Sequence, residues 1–166
     1  MKTNIRKVAV LGSGVMGSAI ACHFANVGCS VLLLDIVPKE AEDTDKKAAR
    51  NKLVNDALKA SLKSKPSPIY SKSFANRIET GNMTDDMSKI AECDWIIEVV
   101  VERLDIKKIV FENVEKFRKP GTLITSNTSG IPIHTMLEGR SDDFKQHFCG
   151  SHFFNPPRYL KLLEII

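Results

Sequence analysis

The run Val8-Ala9-Val10-Leu11-Gly12-Ser13-Gly14-Val15-Met16-Gly17 constrains the fold of this chain more than any other stretch. An apolar segment of strand character passes directly into a G-x-G-x-x-G turn that opens a helix. Gly12 permits the tight turn out of the strand, Gly14 lets the backbone approach a bound group, and Gly17 lets helix and strand pack closely. Val15 and Met16 complete the turn. The free N–H groups there, with the helix dipole, favour a pyrophosphate. Asp35 stands eighteen residues after Gly17, at the end of a second apolar strand. A carboxylate there accepts from the adenine ribose hydroxyls of a dinucleotide and repels a 2′-phosphate, which favours NAD over NADP. A glycine turn in an unrelated α/β protein is the rival reading, and the flanking strand, helix and acid weigh against it.

Strand and helix signals then alternate along the chain. The pattern predicts strands at Lys7–Leu11, Cys29–Ile36, Ile78–Thr80, Trp95–Val101, Thr122–Ser126, Phe148–Phe153 and Leu160–Ile166. It predicts helices at Val15–Val27 and Asp105–Phe117, the second closed by Pro120-Gly121. The near-continuous apolar run of the second strand suits a position buried on both faces. The expected fold is α/β, a Rossmann-type doubly wound and mainly parallel sheet forming one domain over 1–166.

One segment breaks the alternation. Residues 38–76 are lysine-rich, with Ala49, Leu53, Ala57, Leu58 and Leu62 near helical spacing and prolines at 66 and 68. This predicts a helical-pair insertion bent at the prolines and projecting from the sheet. Arg50, Lys52, Lys59, Lys63, Lys65 and Lys72 are then candidates for meeting the phosphates of a coenzyme A carrier, or simply a solvated basic face.

Composition narrows the classes. The 166 residues are 43% hydrophobic, ample for one packed core, and the net charge of +4 is mild. Few aromatics and no compact arginine-rich run argue against nucleic acid. No apolar stretch spans a bilayer, the leader MKTNIRK is short for a signal peptide, and four scattered cysteines form no C-x-x-C pair. The expectation is a cytoplasmic protein without a membrane partner and with free thiols.

A second cluster lies near the other end. In GSHFFNPPRYLKLLEII, His152, Asn155 and Glu164 fall within a short span, with Pro156-Pro157 making a rigid turn. If the chain folds back there, Glu164 meets the imidazole and orients it as a general base; a satisfied core histidine is the plainer alternative. His147, Cys149 and His152 form H-x-C-x-x-H, but a fourth ligand is missing, so no metal site is expected. Ser126-Asn127-Thr128-Ser129-Gly130 follows an apolar strand, where loops line the ligand crevice of a parallel sheet. Ser129 there serves a ligand or caps a turn. Glu102 closes its strand within reach of a cofactor, whereas Glu98, inside an apolar run, needs a partner.

Taken together, VAVLGSGVMGSAIACHFANVG, LLLDI, IIEVVVERLDIKK, TSNTSG, GSHFFNPP and the trailing LLEII resemble the NAD-binding domain of the L-3-hydroxyacyl-CoA dehydrogenase family of fatty-acid β-oxidation. The resemblance covers nearly the whole chain. It implies that His152 is the catalytic base with Glu164 as its carboxylate partner, and that Ser129 and Asn155 lie on the substrate side. By the same resemblance Asp35, Glu102, Lys107 and Asn127 contact NAD, and Ser61 and Lys65 contact the coenzyme A of an acyl-CoA substrate. The implied reaction interconverts an L-3-hydroxyacyl-CoA and a 3-ketoacyl-CoA. It further implies an all-helical C-terminal domain absent from these residues, carrying the contacts of a homodimer, and weak activity without it. Two departures stand out: Pro66 and Pro68 interrupt the usual basic run, and Gly130 replaces a polar residue. The rival readings are a 3-hydroxybutyryl-CoA or sugar-acid dehydrogenase with the same motifs, and a non-catalytic NAD-sensing module.

Overall fold

The computed structural model describes residues 4–166, so the first three residues of the leader lie outside the described residues. Seven strands form one sheet: β1 (Lys7–Leu11), β2 (Ser30–Asp35), β3 (Ile78–Asn82), β4 (Trp95–Glu98), β5 (Leu123–Ser126), β6 (Phe148–Phe153) and β7 (Leu163–Ile165). Their spatial order is β3-β2-β1-β4-β5-β6-β7. The pairs from β3 through β6 are parallel and only β7 runs antiparallel, against β6. The chain leaves β1 in both directions of the sheet, so the switch point lies between β1 and β4, where open α/β sheets bind ligands. The doubly wound, mainly parallel arrangement expected from the sequence is present.

Side-chain alternation feeds two cores. Val8, Val10, Val31, Leu33 and Ile97 face one way, onto helix α1 (Val15–Asn26) with Ile20 and Phe24. Ala9, Leu11, Leu32, Leu34 and Ile96 face the other. There they meet Val110, Phe111 and Val114 of the long helix from Leu104 to Phe117. Both faces of these strands are apolar because helices cover both.

The insertion differs from expectation. It holds a single turn, α2 (Lys47–Arg50), running through Asn51 into α3 (Lys52–Lys63), and the only helix after the prolines is a 3-10 turn at Lys72–Arg77. Helix α3 does not project. Val54 is buried, and Leu58 and Leu62 pack against the same core as Phe24 and Ile78. The i, i+4, i+8 stripe of Val54, Leu58 and Leu62 outcompetes the one through Leu53, which lies exposed. The segment is therefore the crossover covering one sheet face between β2 and β3. Two of its basic residues are engaged: Arg50 Nε lies 2.7 Å from Asp85, whose carboxyl Arg50 and Asn82 hold down to about 2, and Lys52 pairs with Asp56.

The remaining elements among the described residues are α4 (Leu104–Phe117), α5 (Ile133–Met136), α6 (Asp142–Gln146) and 3-10 turns at Lys39–Ala41 and Met87–Glu92. Among the described residues, no helix is long and apolar enough to cross a membrane.

Candidate active site at the carboxyl ends of the strands

Gly12 adopts φ +106°, a backbone conformation that favours glycine, and a Cβ there would stand 2.6 Å from the Val99 carbonyl oxygen. At Gly17 a Cβ would fall 1.8 Å from the Gly12 carbonyl oxygen, so α1 sits this close to β1 only without a side chain. Over Gly14 there is open space, with nothing within 4 Å of where a Cβ would stand. The first turn of α1 carries no acidic residue. The result is a backbone cradle at a helix N-terminus, the form a pyrophosphate requires. Val15 and Gly14 are exposed at its mouth, and Met16 is half-buried behind it.

Asp35 ends β2 beside this loop. Its Oδ2 accepts from Ser13 N (2.6 Å) and Ser13 Oγ (2.5 Å), and its Oδ1 accepts from Ile36 N (2.7 Å). Ser13 thus couples the carboxylate to the glycine loop, a link that sequence reasoning missed. A small hydroxyl residue in the middle of the glycine motif was the available signal.

A cleft of about 540 Å³ opens from this loop toward α3, and Ser61, Lys65, Pro66, Asn155 and Pro156 are among the residues lining it. Ser61, suggested by resemblance alone, and Lys65, suggested by the basic segment as well, therefore share one cavity with the glycine loop and Asn155. Arg158, not singled out in the sequence, ties the two rims together. Its Nη1 donates to the carbonyls of Ser67 (2.7 Å) and Ile69 (3.1 Å), and its guanidinium stacks 3.9 Å from the Tyr70 ring centroid.

Strands β6 and β7 place the dyad. His152 and Glu164 are directly paired across the antiparallel ladder, and His152 Nδ1 lies 2.9 Å from Glu164 Oε2. The imidazole also packs against Phe154, with ring centroids 4.7 Å apart. With Nδ1 held by the carboxylate, Nε2 is the open nitrogen for proton transfer. His147 instead turns its Nδ1 to the Asp143 carbonyl oxygen at 2.7 Å, away from this pair. Among the described residues no group of three His, Cys, Asp or Glu side chains is arranged to hold a metal ion.

The loops after β4 and β5 are joined by an ionic chain. Glu98, fully buried, finds the partner it requires in Lys107, whose Nζ lies 2.8 Å and 2.9 Å from its two oxygens. Ser126 Oγ (2.5 Å) and Val100 N (2.7 Å) also donate to Glu98. Burial pushes the Glu98 carboxyl above the usual range, against the pull of Lys107. Lys107 Nζ reaches Glu102 at 3.2 Å as well. Glu102 Oε1 accepts from Thr128 Oγ1, Ser129 N (3.1 Å) and Gly130 N (3.3 Å). Partial burial raises the Glu102 carboxyl, but Thr128 and Lys107 outweigh it and hold it low. Asn127 Oδ1 accepts from Phe153 N at 2.9 Å, linking this loop to β6 beside His152. A lysine on the apolar stripe of α4, in step with Val110, Phe111 and Val114, was the sequence signal for the pair.

The glycine loop, Asp35, Glu98, Glu102, Asn127, Ser129 and His152 lie at or just beyond the carboxyl ends of the parallel strands, and Glu164 lies on β7. The chain matches, over residues 7–166, the family model described as 3-hydroxyacyl-CoA dehydrogenase, NAD binding domain. The chain belongs to the 3-hydroxyacyl-CoA dehydrogenase family. Within it, residues 7–166 are the NAD-binding domain, and the glycine cradle and Asp35 fit that cofactor. A probable 3-hydroxyacyl-CoA dehydrogenase of Bacillus subtilis is 56% identical over the whole of this chain and 22% of its own length. One from Deinococcus radiodurans is 48% identical over 98% of this chain and 45% of its own length. The crystal structure of 3-hydroxybutyryl-CoA dehydrogenase from Escherichia coli superposes with a TM-score of 0.71 at 31% identity. That match covers 98% of this chain and 32% of that one. The chain thus spans less than half the length of each of these family members.

Proposed function

We propose that the protein interconverts an L-3-hydroxyacyl-CoA and the corresponding 3-ketoacyl-CoA, with His152 as general base. The observation that carries this reading is the register pairing of His152 with Glu164 at the same end of the sheet as the glycine cradle. Bound NAD supplies the hydride acceptor for C3. As the C3–H bond breaks, His152 Nε2 takes the proton of the 3-hydroxyl, which becomes the ketone oxygen. Glu164, on Nδ1, fixes the ring orientation and stabilises the imidazolium that forms. Asn155 and Ser129, both exposed near the crevice, serve as hydrogen-bonding groups for the substrate oxygen. Ser61 and Lys65 meet the coenzyme A portion along the cleft. Asp35, Glu102, Lys107 and Asn127 serve the cofactor.

The proposal includes a further domain in the full-length protein that completes the acyl-CoA site and carries a homodimer contact. The greater length of the relatives supports it, as does the row of exposed apolar side chains at Leu160, Leu162, Leu163 and Ile165. The proposed setting is fatty-acid β-oxidation in the cytoplasm.

The test is NADH oxidation with acetoacetyl-CoA by the full-length protein and its His152→Ala variant. Turnover that collapses in the variant while NADH still binds supports the assignment. An inactive parent, or a variant of parental rate, overturns it.

A further inference from the structure

Helix α3 is a wall shared by two hollows. One flank, with Ala57, Ser61 and Ser64, lines the cleft that opens from the glycine loop. The other flank, with Leu58, Lys59, Leu62 and Lys63, lines a second groove of about 470 Å³. At 3.6 residues per turn the two sets face about half a turn apart, so the hollows lie on opposite sides of the helix. The second is bounded also by the 3-10 turn at Lys72–Arg77 and by β3. Its volume falls within the roughly 300–1,000 Å³ typical of small-ligand sites.

Floor and rim of this groove differ in chemistry. Leu58, Leu62, Ile69, Ala75 and Ile78 form the apolar floor, with Ile69 and Ile78 buried. Lys59, Lys63 and Lys72 stand exposed around it, and the lining includes no acid. The acids closest in sequence are taken elsewhere, Asp56 by Lys52 and Glu79 by Lys89 at 2.7 Å. Lys59 and Lys63 are one helical turn apart, a like-charged spacing that costs stability and that a bound anion relieves. Lysine stems often cover apolar surface themselves, yet here the space over the floor stays open. The uncharged polar side chains of the lining satisfy each other, Thr80 Oγ1 donating to Asn55 Oδ1 at 2.7 Å. The groove therefore offers apolar contact and positive charge, and little that reads a sugar or a peptide backbone.

We propose that this groove binds an aliphatic carboxylate of medium length, its chain on the floor and its head among Lys59, Lys63 and Lys72. Arg50 and Lys52 are held by Asp85 and Asp56, and Lys65 faces the first cleft. The three rim lysines are thus the basic side chains of the insertion still free for a ligand, and the site is separate from the one that contains Ser61.

The experiment titrates octanoate into the full-length protein by calorimetry, in the presence of saturating acetoacetyl-CoA. Hexanoate, decanoate and octylammonium are compared, as are the variants Lys63→Gln/Lys72→Gln and Lys65→Gln. Saturable binding at one site per chain is expected, tightening about fourfold for each methylene added. Octylammonium, with the same chain and the opposite charge, does not bind. Lys63→Gln/Lys72→Gln binds octanoate about fivefold more weakly, the scale of exposed ion pairs, and Lys65→Gln binds it as the parent does. Equal binding of octylammonium, or undiminished affinity in the double variant, would reduce the interaction to apolar contact and overturn the inference. Binding that acetoacetyl-CoA abolishes, or an equal loss in Lys65→Gln, would place the anion in the first cleft and overturn it too. The absence of any binding also defeats it. A thermal midpoint near that of the parent checks that the double variant is folded, and Lys59→Gln takes its place if it is not. A parent that binds octanoate but turns over no substrate fails the proposed reaction alone and leaves the groove assigned.

Discussion

Two acid–base pairs sit at the same end of the sheet and differ in almost everything but their chemistry. Glu98 and Lys107 are sealed between β4 and α4, with 0% and 1% of their side chains exposed. His152 and Glu164 join two strands at the sheet edge, with 21% and 51% exposed. The buried pair has its charges answered by protein, with Glu98 and Glu102 around the ammonium and Ser126 on Glu98. The edge pair engages only Nδ1 of the ring and is partly exposed. Desolvation thus separates two uses of one interaction: in the interior it fixes geometry, and at the rim it suits the proton transfer proposed for His152.

That contrast is open to direct attack. The largest effect belongs to His152→Ala, for which kcat falls about 10²- to 10⁴-fold. Its stability changes little, because the pair is partly solvated and pairs of that kind contribute about 0–1 kcal/mol. Steady-state kinetics beside a denaturant titration check both halves, and a large loss of stability would break the comparison. Lys107→Met alone reverses the pattern. It leaves Glu98 buried without its cation and costs roughly 3–5 kcal/mol, read as a lowered midpoint in thermal or urea unfolding. Adding Glu98→Gln restores most of that midpoint, and if it does not, the loss comes from packing around α4.

Glu164→Gln should have an intermediate effect. The amide keeps a partner for the imidazole but removes the charge that stabilises imidazolium, so kcat falls on the order of tenfold with NADH affinity kept. Equal losses for Glu164→Gln and His152→Ala would mean that the ring cannot be oriented without the carboxylate charge. The smallest effect concerns acid stability. Glu102 has a folded-state pKa held below its ordinary value, so its contribution is present above about 4.5, the unfolded value, and lost as pH falls through the lower folded value. Glu102→Gln lacks that acidic slope, which urea midpoints measured between about pH 3 and pH 6 would detect.

Much of this architecture is written locally. The strand, glycine turn and helix from Lys7 to Asn26, and the apolar run of β2, follow from short-range periodicity and from what glycine permits. Asp35 and the His152–Glu164 pair are legible because an acid at a strand end and a proline turn before a short strand limit where the side chains go. The insertion departs from expectation because two stripes share the same helix, and only the tertiary surface selects Val54 over Leu53. The hold of Arg158 on Ser67 and Ile69 joins positions about ninety residues apart, and no local pattern records such a bond. Glu98 announces a need for a partner; the identity of that partner depends on the return of α4 over β4.

The antiparallel step between β6 and β7 makes the geometry of the proposed His152–Glu164 dyad a property of strand alignment. Ser151, His152 and Phe153 face Ile165, Glu164 and Leu163 in turn, so a slip of one place would send the carboxylate to the opposite side of the sheet. A residue inserted between Leu163 and Ile165 therefore disables the dyad without touching either member. The same insertion in the 156–161 loop is absorbed as slack. Under the proposed mechanism a misregistered edge is an enzymatic lesion, and the hydrogen bonds between Gly150 and Ile166, 2.8 Å and 3.2 Å long, are the stop that prevents it.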